Sequence, residues 1–213
     1  MSGHVNDERI DFVRTLHATD PGAPTLCGDW NTAQLVAHLV LRERSVTELG
    51  GRLPVAALQR HAQHAIDEYV ARFPYVQLVS RFESGPPIYS PWAIPALREA
   101  VNLLEYAVHH EDVRRAVPGA APRILPVARQ QAAWSRLRVA AKLTLRQVPQ
   151  SVTLVWPSHG EIVSRKGGAR AITVTGDPIE LALVTMGRQR VAQVTYDGPP
   201  DEVASFAGAR IAL

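Results

Sequence analysis

The chain is poor in cysteine: Cys27 stands alone among 213 residues. An internal disulfide and a cysteine-rich zinc site are both excluded, so a metal would need histidine and carboxylate ligands. Lysine is almost as scarce, only Lys142 and Lys166, and 23 basic residues face 20 acidic ones. A net charge of +3 is mild, and no nucleic-acid partner is expected from it. No run of about 18 uncharged apolar residues occurs, which argues against a membrane-spanning helix. The opening MSGHVNDERIDFVRTL is charged and has no apolar signal-peptide core, so the expected location is cytoplasmic. What the chain does have is 46% hydrophobic residues, enough to bury a core and to exclude wholesale disorder.

The patterning changes near residue 150. Up to about 148 the apolar residues recur at helical spacing, which predicts a bundle over 1–148. A first helix is expected from near Asn6, and a second from Asn31 or Thr32 as N-cap to Gly50-Gly51. A third runs through VAALQRHAQHAIDEYVARF and stops before Pro74. The proline-rich FESGPPIYSPWAIP reads as irregular. A long fourth helix is ALREAVNLLEYAVHHEDVRRA, and a fifth is VARQQAAWSRLRVAAKLTLRQ. Over 151–213, SVTLVWP, GEIVSRK, ARAITVTG and RVAQVTYDG read as strands. DPIELALVTMG reads as a short helix capped by Asp177 and stopped by Gly187, and DEVASFAGA as a terminal helical turn. The fold class is therefore α+β: a helical bundle followed by a small α+β domain.

Candidate chemistry lies on the fourth helix, where Glu105 and His109 are one turn apart on one face. Leu97, Val101, Leu104 and Val108 define the expected core stripe, with Glu105 and Asp112 on its flank and His109 a little further round. A carboxylate at a core margin needs a partner. A metal ion satisfies it, and so does an arginine or lysine from a neighbouring helix. On the second helix the core stripe is Leu35, Leu39, Val46 and Leu49, with His38 at its margin and Arg42 one turn on. His38 reads either as a hydrogen-bonded core histidine or as the third member of a set with Glu105 and His109. Two histidines and a carboxylate with an open position is the catalytic zinc pattern, and the set also suits iron or nickel. Arg42 either faces a substrate carboxylate or snorkels at the helix end.

Other features read more plainly. His61, His64 and Glu68 form a stripe on the third helix well away from its apolar face of Leu58, Ala62, Ala65, Ile66, Tyr69 and Phe73, and read as a solvated face. Cys27 reads as a buried loop cysteine rather than a nucleophile, since no flanking motif supports one. His17 and His159 have no assignable partner. Arg129, Arg136, Arg138, Lys142 and Arg146 read as an exposed helix face, without the interleaved aromatics of a single-strand binder.

Thr25-Leu26-Cys27-Gly28-Asp29-Trp30 followed by Leu35-Val36-Ala37-His38-Leu39 resembles the N-terminal signature of DinB-like, mycothiol-dependent maleylpyruvate isomerase proteins. Glu105-Tyr106-Ala107-Val108-His109-His110-Glu111-Asp112-Val113-Arg114 resembles the family's second metal segment. Gly176-Asp177-Pro178-Ile179-Glu180-Leu181 with Gly187-Arg188 resembles its small second domain. The resemblance implies a DinB-like bundle holding a divalent metal, zinc ahead of nickel or iron, on His38, Glu105 and His109. It also implies mycothiol or a similar thiol as cosubstrate, a small electrophile as substrate, and a monomer or homodimer. The implied activity is isomerisation or S-transfer, in which a thiolate attacks an electrophilic carbon. Asp112 would orient His109, and Arg42 and Arg188 would anchor carboxylates of substrate or cofactor. The alternative is a non-catalytic metal-binding module acting by dimerisation or small-molecule sensing.

Overall fold

The computed structural model describes residues 3–44, 56–164 and 170–211. Its contacts divide the chain into two units, Met1–Ala120 and Ala121–Leu213. The first unit holds helices α1 (His4–His17), α2 (Thr32–Arg44), α3 (Ala56–Arg72), α4 (Tyr75–Glu83) and α5 (Pro95–Arg114). The expected fourth helix is thus α5, because α4 intervenes. This nine-residue helix was not expected: it is short and lies between Pro74 and a proline-rich loop, yet it buries Leu78, Val79 and Phe82. The loop after it holds a 3-10 turn at Pro91–Ala93, where Ser90 caps Trp92.

Helix α1 begins at His4, two residues before the expected cap, with Gly3 at its N-cap. The start of α2 follows its sequence closely. Asn31 Oδ1 accepts from the Gln34 amide at 2.9 Å while Gln34 Oε1 accepts from the Asn31 amide at 3.1 Å. This reciprocal box satisfies backbone donors that a helix start would leave unpaired. The expected continuation of α2, with Val46, Leu49 and the Gly50-Gly51 stop, lies outside the described residues.

Helix α5 departs most from its expected pattern. Leu97 and Val101 are 37% and 36% exposed, whereas every residue from Asn102 to Val113 is buried. The helix therefore has no amphipathic stripe in its second half. Its polar side chains there are paired with one another or with α1 and α2, which removes the need for a solvent face. Helix α1 packs along α5, and α4 touches both α1 and α2. Phe12, Leu16, Leu35, Leu39, Phe82 and Leu103 fill the space between them, each burial contributing roughly 1.5–3 kcal/mol.

The second unit holds α6 (Val127–Thr144), β1 (Ser151–Trp156), β2 (Gly160–Val163), β3 (Ala171–Thr175), α7 (Pro178–Thr185), β4 (Thr195–Asp197) and α8 (Pro200–Ala207). The sheet order is β2-β1-β3-β4, with β1 and β3 parallel and the outer pairs antiparallel. Val152, Leu154 and Trp156 alternate inward from β1, and Ile172 and Val174 from β3. Helix α6, expected as the last helix of a bundle over 1–148, falls within this unit. Its Ala133, Trp134, Leu137 and Ala141 are buried, and its packing partners are α7 and β2. Amphipathic spacing marks a buried face without saying what covers it. Of the basic run on this segment, Arg138, Lys142 and Arg146 are exposed, but Arg129 is buried. Gly187 ends α7 as expected: its φ is +84°, and a Cβ there would lie 2.3 Å from the Ile211 carbonyl oxygen. Among the described residues no helix is long and apolar enough to cross a membrane.

Candidate metal centre

Helices α2 and α5 bring His38, Glu105 and His109 together. Their ligand atoms all lie within 4.8 Å of one another. The hub is one oxygen: Glu105 Oε1 is 3.5 Å from His38 Nε2 and 3.5 Å from His109 Nε2. Donors about 2.0–2.1 Å from a tetrahedral zinc ion sit roughly 3.3 Å apart, so both Glu105–imidazole spacings suit such an ion. The three side chains are about nine-tenths buried, in surroundings that strengthen attraction for a cation.

Asp112, fully buried, fixes the direction of His109. Its Oδ2 lies 2.9 Å from His109 Nδ1. Donation of the Nδ1 proton leaves the Nε2 lone pair turned toward Glu105 and His38. Burial alone would lower the His109 pKa. Hydrogen bonds to Asp112 and then Glu105, with the charge of both carboxylates, outweigh it and hold the pKa above the ordinary imidazole range. In chemical terms the nitrogen attracts a positive species, proton or metal.

The Thr25–Trp30 segment forms a wall of the site. Thr25 Oγ1 accepts from the Cys27 amide and donates to the Trp30 carbonyl, and Trp30 N donates to the Cys27 carbonyl. Gly28 turns at φ +59°. Leu26 N donates to the Asp112 carbonyl at 3.0 Å, tying the turn to α5. The Trp30 ring then packs 5.0 Å from His38, and its Nε1 donates to Gln63 of α3. Cys27 is half-buried rather than buried, and its Sγ falls within 4.8 Å of ligand atoms of His109 and Asp112. That proximity is not legible in a sequence where Cys27 and His109 are far apart.

Arg42 does not snorkel. It is 3% exposed, with Nε 3.2 Å from Glu105 Oε1 and Nη1 donating to Asn102 Oδ1. Its Cζ lies 5.2 Å over the Trp92 ring, whose Nε1 donates to the Arg42 carbonyl. Of the two partners expected for Glu105, an ion or a basic side chain from a neighbouring helix, the arginine is present, on the same oxygen that faces both imidazoles. Asn102 and Trp92 were not foreseen; the one available signal was an asparagine three residues before Glu105 on the same helix. Behind Asn102 the network continues. Asn102 Nδ2 donates to Tyr106 Oη at 3.2 Å, Tyr106 donates to Glu43, and Arg9 pairs with Glu43 and Tyr106.

The remaining candidates separate clearly. His64 and Glu68 are 3.4 Å apart on the exposed surface of α3, and His61 is exposed too. His159 stacks on Trp156, with centroids 3.7 Å apart. Arg188 belongs to the second unit, just past α7, where it is half-buried and its Nη1 donates to the Met186 carbonyl.

No protein-family model and no curated protein matches the chain. Among solved structures, the crystal structure of the mycothiol-dependent maleylpyruvate isomerase is similar. The TM-score is 0.58 at 14% identity, over 91% of this chain and 90% of that one. At that identity the likeness establishes a shared fold.

Proposed function

We propose that the protein is a metalloenzyme that uses a low-molecular-weight thiol, of the mycothiol type, either to isomerise a small electrophile or to transfer the thiol's sulfur onto it. The observation that carries the reading is the convergence of His38, Glu105 and His109 on one point, with Asp112 directing His109. The fold likeness to a mycothiol-dependent isomerase supports the choice of thiol.

His38, Glu105 and His109 would hold a divalent ion, zinc by preference, and such an ion supplies the Lewis acidity that ionises a thiol at neutral pH. Asp112 keeps the Nδ1 proton of His109 and so reserves Nε2 for ligation. Trp30 and the turn around Cys27 limit water access on one side. The reaction class is attack of sulfur on an electrophilic carbon: for isomerisation, conjugate addition followed by cleavage of the same C–S bond to release the thiolate; for S-transfer, displacement in which the leaving group departs with its bonding electrons.

One observation favours a second reading. Glu105 already has a buried arginine partner, and a carboxylate so paired is satisfied without an ion. The chain would then be a non-catalytic module acting through dimerisation or small-molecule sensing. Elemental analysis of protein purified without added metal, followed by thiol-dependent turnover over a panel of electrophiles, separates the two. Bound metal with turnover supports the enzyme; absence of turnover, with metal bound or without it, leaves the module.

A further inference from the structure

Arg42 is too firmly held to swing toward a visiting molecule. One nitrogen lies against Glu105 Oε1, another donates to Asn102, and the guanidinium is stacked over Trp92. Asn102 is in turn fixed through Tyr106 and Glu43 to Arg9. The arginine therefore acts on the site from a fixed place. An ion within about 2.2 Å of Glu105 Oε1 would lie no more than about 5.4 Å from Arg42 Nε.

The charges around that point do not cancel. A divalent ion and Arg42 bring positive charge that Glu105 and Asp112 together leave short by one unit. Other buried charged groups of α1, α2 and α5 have partners of their own: Glu43 pairs with Arg9, Glu111 with Arg114 and Arg115, and Glu8 is hydrogen-bonded to His110. We infer that Arg42 is a positioning residue that works through Glu105, loosening the grip on the cation and making a monoanion the preferred occupant of the open position. The inference rests on the metal reading above and adds the ligand class to it: a thiolate or carboxylate, in preference to a neutral donor. It also changes the part assigned to Arg42, from touching substrate to setting the charge that selects it.

The two effects have opposite signs, which a damaged site cannot imitate. The experiment titrates Co²⁺ into the wild type, Arg42→Gln, Arg42→Met and Arg42→Lys, then adds azide as monoanion and imidazole as neutral donor to the loaded proteins. Visible absorption of the ion reports each step, and circular dichroism checks folding. In Arg42→Gln, Co²⁺ binds at least about tenfold tighter, since even water-like screening leaves that much repulsion at this range. Azide binds about threefold weaker or more, and imidazole is unchanged. Arg42→Lys keeps the charge and stays near the wild type in all three, whereas Arg42→Met, neutral and of similar length, shifts as Arg42→Gln does and carries the test should the glutamine variant misfold. Weaker binding of both cation and azide by Arg42→Gln, parallel loss of azide and imidazole, or no change would overturn it. A wild type that binds no Co²⁺ overturns the metal reading itself; normal wild-type binding with an unshifted Arg42→Gln overturns only the role of Arg42.

Discussion

His109 and Asp112 sit three residues apart on one helix, with Nδ1 and Oδ2 separated by 2.9 Å. The carboxylate is fully buried. A buried acid in this position fixes both the tautomer and the ring plane of its histidine. Asp112→Asn is expected to keep the fold and to weaken zinc binding about 10–100-fold. Competition against a chelator of known affinity measures it.

His38 and Glu105 should differ sharply as alanine variants. On the metal reading, His38→Ala removes one of three ligands and leaves no unpaired charge, so metal retention is expected to fall to background while the helical circular dichroism is unchanged. Glu105→Ala strands Arg42 in the interior and is expected to lower stability by about 3–5 kcal/mol as well. Urea titration of the two metal-free variants makes the comparison.

Tyr75 gives the chain an alkaline limit. Its hydroxyl donates to the Leu16 carbonyl at 2.9 Å. Burial, with a contribution from the Asp20 charge, raises its pKa from 10.0 to about 12. The native state holds this proton more tightly than the unfolded chain does. Its contribution is therefore intact below pH 10.0 and is lost as pH rises toward about 12. The half-buried ring reduces that loss to about 1 kcal/mol. Tyr75→Phe should flatten the fall in stability over this window, as measured by denaturation at several pH values.

Gly187→Ala tests the second unit separately. The new methyl would meet the Ile211 carbonyl oxygen at 2.3 Å, on a backbone with φ of +84°. Destabilisation of about 2 kcal/mol or more is expected. Thermal unfolding should show the loss, with metal binding by the first unit retained.

Much of the architecture is legible in the sequence because it is local. Asn31 and Gln34 write the start of α2 into four residues, and Gly187 writes the end of α7 into one. The Glu105–His109 spacing likewise fixes a shared face of α5. Partner choice is what the sequence hides. The periodicity of α2 sets Arg42 beside the core stripe, but nothing in it says that Glu105 and Asn102 will be the partners. Nothing in the spacing of α6 says that it will pack on α7 and β2. Helix α4 is hidden for a different reason: nine residues between prolines give too few turns for a period to stand out. The environment of Cys27 depends on a turn folding back onto α5, which is a tertiary event.

The unbroken burial of α5 from Asn102 to Val113 bears on how this segment can vary. A helix with one wet side tolerates change every three or four positions, and a saturation scan of such a helix gives a rippled profile. Here each position meets either apolar packing or a committed polar partner. A scan across this stretch should return a nearly level block of intolerance, with the ripple resuming only toward Leu97 and Val101.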